Sequence, residues 1–394
     1  MNIPIPALTQ EGNFSRLSLL YQKIRSRSLD LTKPLEIEDF NLQAMPDVSP
    51  PKWHLAHTTW FFETLILNTL PQYQVFDPDF HYLFNSYYKG LGLYHPRTQR
   101  GLLSKPSLKK VQDYRQTVDQ KILNALEKER FNTEALQLLE LGLHHEEQHQ
   151  ELLLTDIQYN FFTNPLGPVY REDLRKPHNS QVTPLKKLNY TEGLYQIGHP
   201  DKGFSFDNEK PRHQIFLKGF SLANRLITNS EYLEFIQDKA YQQPKLWLAQ
   251  AWDWIEKEKI EHPLYWQKRD GYFWQFTLEG WQALHLNTPV AFINFFEADA
   301  FARWAGSRLP TEAEWEVAAS QEEINGNFLE KDYLIPLAPE TNQGLSQIFG
   351  DTWEWTTSAY GPYPGFKTFA GAPQEYNGKF MINQMVLRGG SCFS

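Results

Sequence analysis

The chain of 394 residues predicts a multi-domain protein of the α and α+β classes, a four-helix bundle followed by an α+β domain. Three observations carry this. Apolar residues recur at three- and four-residue spacing through roughly the first 160 positions, as helices with one buried face require. Prolines then break all periodicity. After Tyr190 the sequence turns Gly-, Pro- and Trp-rich, with short strand-like pieces. The expected boundaries are 1–162 for the bundle, 163–190 for a linker and 191–394 for the second domain.

A first helix is expected from Asn13 to Ser28, with Leu17, Leu20 and Ile24 on one side. A second begins near Pro51 and runs through Trp53, Ala56, Trp60 and Thr64. A long crossover, Leu70 to Lys105, leads to a third helix. Ser107 is placed there as its N-cap behind Pro106, and Val111, Tyr114, Val118, Ile122 and Leu126 form its apolar stripe. A fourth spans Thr133 to Asn160. One long crossover among four helices is a bundle topology. Pro165, Pro168, Pro177 and Pro184 mark the linker. Beyond it, Ile215-Phe216-Leu217 reads as a strand and Thr228 to Asp238 as a helix. Another helix starts at Thr311, where Thr311 and Glu314 make a capping box ahead of Trp315, Val317 and Ala318. No internal repeat or low-complexity tract is present.

Composition narrows the function. Charges sum to 38 − 47 = −9 with no dominant basic stripe, which argues against nucleic-acid binding. Cys392 is the single cysteine, so intrachain disulfides and cysteine zinc sites are excluded, and a reducing cytoplasm is the expected compartment. With no basic-then-apolar start and no apolar run of about 20 residues, neither secretion nor a membrane partner is expected. Aromatic residues are frequent, at 15%. They either line a small-ligand pocket or fill a loop-rich core.

The strongest chemical signal is His144-His145-Glu146-Glu147-Gln148-His149-Gln150-Glu151 on the fourth helix. At about 100° per residue, His145 and His149 differ by about 40° and lie about 6 Å apart along one face, so both imidazoles can reach one ion. Glu151 points about 200° away from His149 and is a poor ligand. Gln148 lies about 60° from His145, close enough to touch whatever binds beside the ion. His144 is expected at the surface or behind the ligands. A third ligand must come from another helix. His57 shares a stripe with Trp53, Ala56 and Trp60 and so faces inward more plausibly than His54. Imidazole ligation with open positions suits iron, zinc or copper.

Other candidates are less specific. In Asn85-Ser86-Tyr87-Tyr88 one phenol can serve as a proton donor, or the pair can simply pack a loop. Arg97 and Arg100 have the spacing of a carboxylate clamp and equally of a solvated face. Gly350 to Thr356, with Tyr360 and Tyr363, is aromatic enough to wall a pocket for a cationic ligand. Trp353 and Trp355 themselves read more simply as core.

These residues, in this order, resemble one family. Ser49 to His57 through Phe61-Phe62-Glu63 looks like the metal-site opening of a DinB-like bundle, and His145-x3-His149-x-Glu151 like its signature. Leu309 to Glu316, Gly350 to Trp355 and Arg388-Gly389-Gly390-Ser391 look like a formylglycine-generating-enzyme-type domain of C-type-lectin-like fold. The pairing, over nearly the whole chain, resembles the EgtB family of hercynine oxygenases and its ovothiol-pathway relatives. The resemblance implies a mononuclear non-haem iron(II) enzyme. It would use O2 to couple cysteine or γ-glutamylcysteine to C2 of the imidazole of hercynine, as a sulfoxide, in ergothioneine biosynthesis.

By motif match the iron ligands would be His57, His145 and His149, and Gln148 would contact hercynine. Tyr87 and Tyr88 would be the active-site tyrosines of one branch, while Tyr360 and Tyr363 match the spacing of another. Arg97 and Arg100 would hold a carboxylate of the thiol substrate, and the surrounding stretch resembles the branch associated with free cysteine. Relatives are expected to continue beyond the Arg-Gly-Gly-Ser segment, so the second domain reads as C-terminally shortened, with activity in doubt. The competing readings are an ovothiol-type 5-histidylcysteine sulfoxide synthase, a DinB-type thiol transferase and a truncated, inactive metal-binding homologue. A formylglycine-generating enzyme would need a cysteine pair that the chain lacks.

Overall fold

A computed structural model of the chain describes residues 10–176, 182–339, 344–369 and 371–394; Pro177 of the expected linker lies outside the described residues. The chain forms two compact units. One comprises Met1–Asn164 with Phe369–Tyr376, the other Pro165–Thr368 with Asn377–Ser394. Among the described residues no helix is long and apolar enough to cross a membrane.

The helical unit is built from α1 (Gln10–Asp30), α2 (Pro51–Leu65), a short α3 (Phe80–Phe84), α4 (Leu108–Glu127) and α5 (Thr133–Thr163). The predicted stripe on α4 is the buried one: Val111, Tyr114, Val118, Ile122 and Leu126 are at most 2% exposed. Ser107 caps this helix by accepting Lys110 N–H, and Asn132 caps α5 by accepting Ala135 N–H. Pro50 and Pro51 set the start of α2, where a missing N–H costs nothing. Every residue of α2 except Thr64 is buried, so α2 is a central helix with no solvent face. His57 is inward as the stripe suggests, but the stripe does not separate it from His54, which is buried as well at 4% exposure.

Gly142 lets α5 approach α2. A Cβ there would lie 2.7 Å from Phe62 and 3.0 Å from Phe61. One turn on, Glu146 is 1% exposed. It accepts from Arg25 of α1 at 2.8 Å, from Ser28 of α1 at 2.6 Å, and from Arg115 of α4. Arg25 also meets Asp119 at 2.7 Å. The guanidiniums of Arg115 and Arg25 hold the Glu146 carboxyl down at about 2 against the opposing effect of burial.

The second unit is an assembly of small antiparallel sheets and four helices among the described residues. Strand β1 (Lys187–Tyr190) pairs with β4 (Phe220–Ala223), and β2 (Gly193–Ile197) with β3 (His213–Leu217). Strands β5 (Trp266–Arg269), β6 (Tyr272–Thr277) and β7 (Gly280–Ala283) form a meander, and β8 (Glu354–Ala359) pairs with β9 (Met385–Arg388). Helices α6 (Asn229–Gln237), α7 (Ala249–Glu258), α8 (Phe295–Trp304) and α9 (Glu312–Ala319) pack against them. Tyr232, Phe235, Trp247, Trp266 and Phe301 centre one core; Ile197, Leu217, Ala313 and Val317 belong to another. The box at Thr311 and Glu314 forms as predicted.

Three expectations change. The described residues of the stretch read as linker belong from Pro165 on to the second unit: Tyr170 is 4% exposed and its N–H reaches Leu278 C=O at 2.9 Å, while Lys187–Tyr190 is a strand. Two helices, α7 and α8, add to the two expected. Trp353 is 43% exposed and not core, because it precedes a two-stranded ribbon with an open face; Trp355 is partly buried and donates Nε1–H to Ile293 C=O at 3.0 Å.

Gly142→Ala is expected to destabilise the protein by about 1–3 kcal/mol, because overpacking two fixed rings outweighs better helix propensity; urea unfolding measures it. Glu146→Ala strands two buried guanidiniums and is expected to cost roughly 3–5 kcal/mol. Because the folded carboxyl titrates at about 2 against an ordinary 4.5, its contribution is complete above the ordinary value and fades as pH falls towards about 2. The stability difference between the native protein and Glu146→Ala should shrink over that window.

Candidate metal centre

His57 on α2 and His145 and His149 on α5 each offer a nitrogen, and the three atoms lie within 4.8 Å of one another. The ring centroids are 5.1, 4.7 and 4.6 Å apart. His57 is fully buried and stacked between Trp53 (4.5 Å, 11°) and Trp60 (5.6 Å, 14°). Its Nδ1 donates to Phe84 C=O at 2.6 Å, which leaves a bare lone pair on Nε2. His145 packs on Phe61 at 4.6 Å.

Burial first, and the neighbouring His145 second, push the His57 imidazole well below its ordinary range, against the opposing Phe84 hydrogen bond. Burial lowers His145 to about 3. Burial, then His145 and His57, lower His149 well below the usual value. All three are therefore neutral at pH 7, the form that coordinates a metal. His57 Nε2 and His145 Nδ1 are buried without a hydrogen-bond partner, a cost that a bound cation removes. The residues fit a metal ion with an all-nitrogen ligand set, of the iron, zinc or copper class.

His54 extends the cluster. Its Nδ1 lies 2.9 Å from His149 Nδ1, and its Nε2 lies 2.9 Å from Asp156 Oδ2. Asp156 Oδ2 also accepts Ser49 N–H at 2.9 Å. Sequence spacing gave no sign of this, since it depends on α2 being enclosed on all sides. His144 is partly exposed beside Glu147 at 3.1 Å, and Glu151 is not among the three clustered residues.

Tyr88 is fully buried, stacks on Tyr87 at 4.6 Å and lies 5.6 Å from Trp60. Burial raises Tyr87 to about 12 and Tyr88 well above the ordinary value, so both phenols keep their protons. Gln148 accepts a hydrogen bond from the hydroxyl of Tyr376, whose ring meets His145 edge-on at 5.8 Å. Glu375 beside it accepts Gly90 N–H at 2.7 Å and Lys89 N–H at 3.2 Å. Tyr376 escaped sequence reasoning because no local pattern surrounds it.

Tyr360 and Tyr363, by contrast, belong to the second unit. Tyr363 donates to Glu316 Oε2 at 3.0 Å and packs edge-on against His213 at 4.7 Å. With Asn208, Glu312 and Arg388 both line a polar cleft of about 210 Å³, in which Arg388 is held by Glu316 at 2.8 Å. The aromatic wall expected there is thus mostly polar.

Arg97 and Arg100 also diverge from expectation: their 3-10 helix, Arg97–Leu102, puts positions three apart on one side, yet the two side chains find different surroundings. Arg97 is exposed and bonds Asp47 C=O. Arg100 is 4% exposed, lies over the Trp53 ring at 3.3 Å, and reaches Ser49 Oγ at 2.8 Å. Burial, with Arg97 second, pushes it down to about 9, and its Nε has no partner. The two do not form one clamp.

The fold and this cluster define a two-domain protein with a three-histidine site in a DinB-type bundle. Residues 20–153 match the DinB superfamily and residues 177–336 the sulfatase-modifying factor enzyme 1-like domain. The chain is EgtB-like: it carries these two domains and is similar to hercynine oxygenases along nearly its whole length. It is 28% identical to the hercynine oxygenase of Mycobacterium tuberculosis, over 94% of this chain and 89% of that one. It is likewise 28% identical to that of Mycolicibacterium thermoresistibile, over 95% and 88%. It is 30% identical to ergothioneine biosynthesis protein 1 of Schizosaccharomyces pombe over 54% of this chain and 26% of that one.

A buried neutral histidine makes the unfolded state the better proton acceptor, so stability of the metal-free protein should fall as pH drops below 6.5. With His145 lowered from 6.5 to about 3, that residue alone contributes roughly 2 kcal/mol of loss at about pH 5. Denaturant unfolding of His145→Phe should show a shallower acid slope.

Proposed function

We propose that the protein is an iron(II)-dependent, O2-using sulfoxide synthase. It joins the thiol of cysteine or γ-glutamylcysteine to C2 of the hercynine imidazole, in the cytoplasm. The observation that carries this reading is the preformed cluster of three neutral imidazoles, two of whose buried nitrogens lack any partner. Similarity along nearly the whole chain to hercynine oxygenases supports the substrate class.

His57, His145 and His149 would hold the iron, which when bound would supply oxygen activation and open positions for both substrates. The remaining roles fall to the chain's own groups. Gln148 and Tyr376 form a hydrogen-bonded pair against His145 and would orient an imidazole. Arg100 is a buried cation facing serine hydroxyls rather than a carboxylate; a substrate carboxylate would supply the missing counter-charge. Tyr87 and Tyr88 retain their protons, and either phenol is a proton donor for reduced oxygen. Buried Trp53, Trp60 and Phe61 exclude water from the cluster.

Anaerobic loading with iron(II), addition of hercynine and cysteine and admission of O2 should yield the sulfoxide by mass spectrometry. His145→Ala and His149→Ala should each lower its formation by more than the roughly 10–100-fold that outer-layer partners contribute at metal sites. No product from folded, iron-loaded protein, with γ-glutamylcysteine and histidine also tried, would refute the assignment.

A further inference from the structure

We propose that Asp156, acting through His54, is a positioning residue that fixes the tautomer of His149 and so determines which nitrogen of that ligand is presented to the metal. The proposal rests on the metal-site reading above. The observation behind it is a chain of short contacts: Asp156 Oδ2 to His54 Nε2 at 2.9 Å, and His54 Nδ1 to His149 Nδ1 at 2.9 Å. Asp156 lies seven residues after His149, two turns along the same face of α5. His54 crosses from α2 between them. His54 is 4% exposed, so water does not compete for either ring nitrogen.

The proton positions follow by elimination. Asp156 Oδ2 already accepts Ser49 N–H, so it is an acceptor, and His54 Nε2 must carry the proton that points at it. An imidazole whose single proton is on Nε2 has a bare Nδ1, which can only accept. His149 Nδ1 must therefore donate, and a neutral His149 is left with its lone pair on Nε2. An imidazole whose remote N–H is hydrogen-bonded is both oriented and a better electron donor. Without this chain His149 could present either nitrogen. The same carboxylate oxygen holds Ser49, immediately before α2, and Ser49 Oγ holds Arg100, so one residue ties a metal ligand to the buried cation.

Zinc is the probe, and the protein is labelled with 15N at histidine. In long-range 1H–15N spectra of the zinc-loaded protein, His149 should be protonated at Nδ1 and coordinated at Nε2. His54 should be protonated at Nε2 and bare at Nδ1. In chelator competition, Asp156→Ala and His54→Phe should each weaken zinc binding by roughly 10–100-fold. His149 coordinated through Nδ1, a proton on His54 Nδ1, or unchanged zinc affinity in folded Asp156→Ala would overturn the proposal and leave the metal site standing. Failure of the unaltered protein to bind zinc would overturn both. The tautomer readout needs no variant, so it decides the matter even where a substitution prevents folding.

Discussion

The helical unit turns on one buried ion cluster. Glu146 sits at the meeting point of α1, α4 and α5, and takes Arg25, Arg115 and Ser28 at once. Breaking such a cluster strands charge in a low-dielectric interior, so the three helices have few alternative arrangements. Its neighbour in sequence is His145. The direction in which the metal-binding face of α5 points is therefore set by a charge interaction on the adjoining face of the same helix. Gly142, one turn before, then allows that face to approach α2 closely enough for His57 to join. Neither residue touches the candidate ion, yet both determine whether three imidazoles converge.

The contrast with Arg100 is informative. Both Glu146 and Arg100 are almost fully buried. Glu146 has two cations and a hydroxyl, and its charge is stabilised. Arg100 has two serine hydroxyls, an indole face and an unpartnered Nε, and burial lowers its proton affinity. The fold thus compensates one buried charge fully and leaves another without a counter-charge, which is why the anion-binding role proposed above falls to Arg100. The second guanidinium expected to help, Arg97, is instead engaged by Asp47 at the surface, so whatever anion binds meets one arginine rather than a pair.

Much of this was legible because it is local. Apolar periodicity located the bundle helices, the capping box marked α9, and the His145–His149 spacing placed two ligands on one face. What escaped depends on tertiary context. His54 was ranked behind His57 because a stripe argument assumes a solvent face, and α2 has none. Tyr376 lies far along the chain from the residues it meets, Gln148 and His145, with no motif around it. The spacing match at Tyr360 and Tyr363 selected tyrosines that Glu316 and a polar cleft hold within the second unit. Helix α7 starts without a side-chain cap, so it carried no start signal. Helix α8 did carry one, the box between Asn294 and Glu297, which went unread in the sequence.

The three candidate ligands are not held alike, and the difference bears on how the site functions. His57 is fixed by a main-chain carbonyl and two stacked indoles, so its presented nitrogen is settled by the backbone. His149 is fixed through a side chain, His54, and behind that a carboxylate. His145 has no partner on its buried Nδ1 and is constrained by ring packing alone. A metal ion entering such a site would meet two ligands held by hydrogen bonds on the ring and one held by packing alone. Preorganisation of two ligands reduces the entropy lost on binding. The third, His145, also meets Tyr376 edge-on. Hydrogen bonding is thus concentrated at His57 and His149, and the unpartnered nitrogen of His145 belongs to the ring beside which Gln148 and Tyr376 stand.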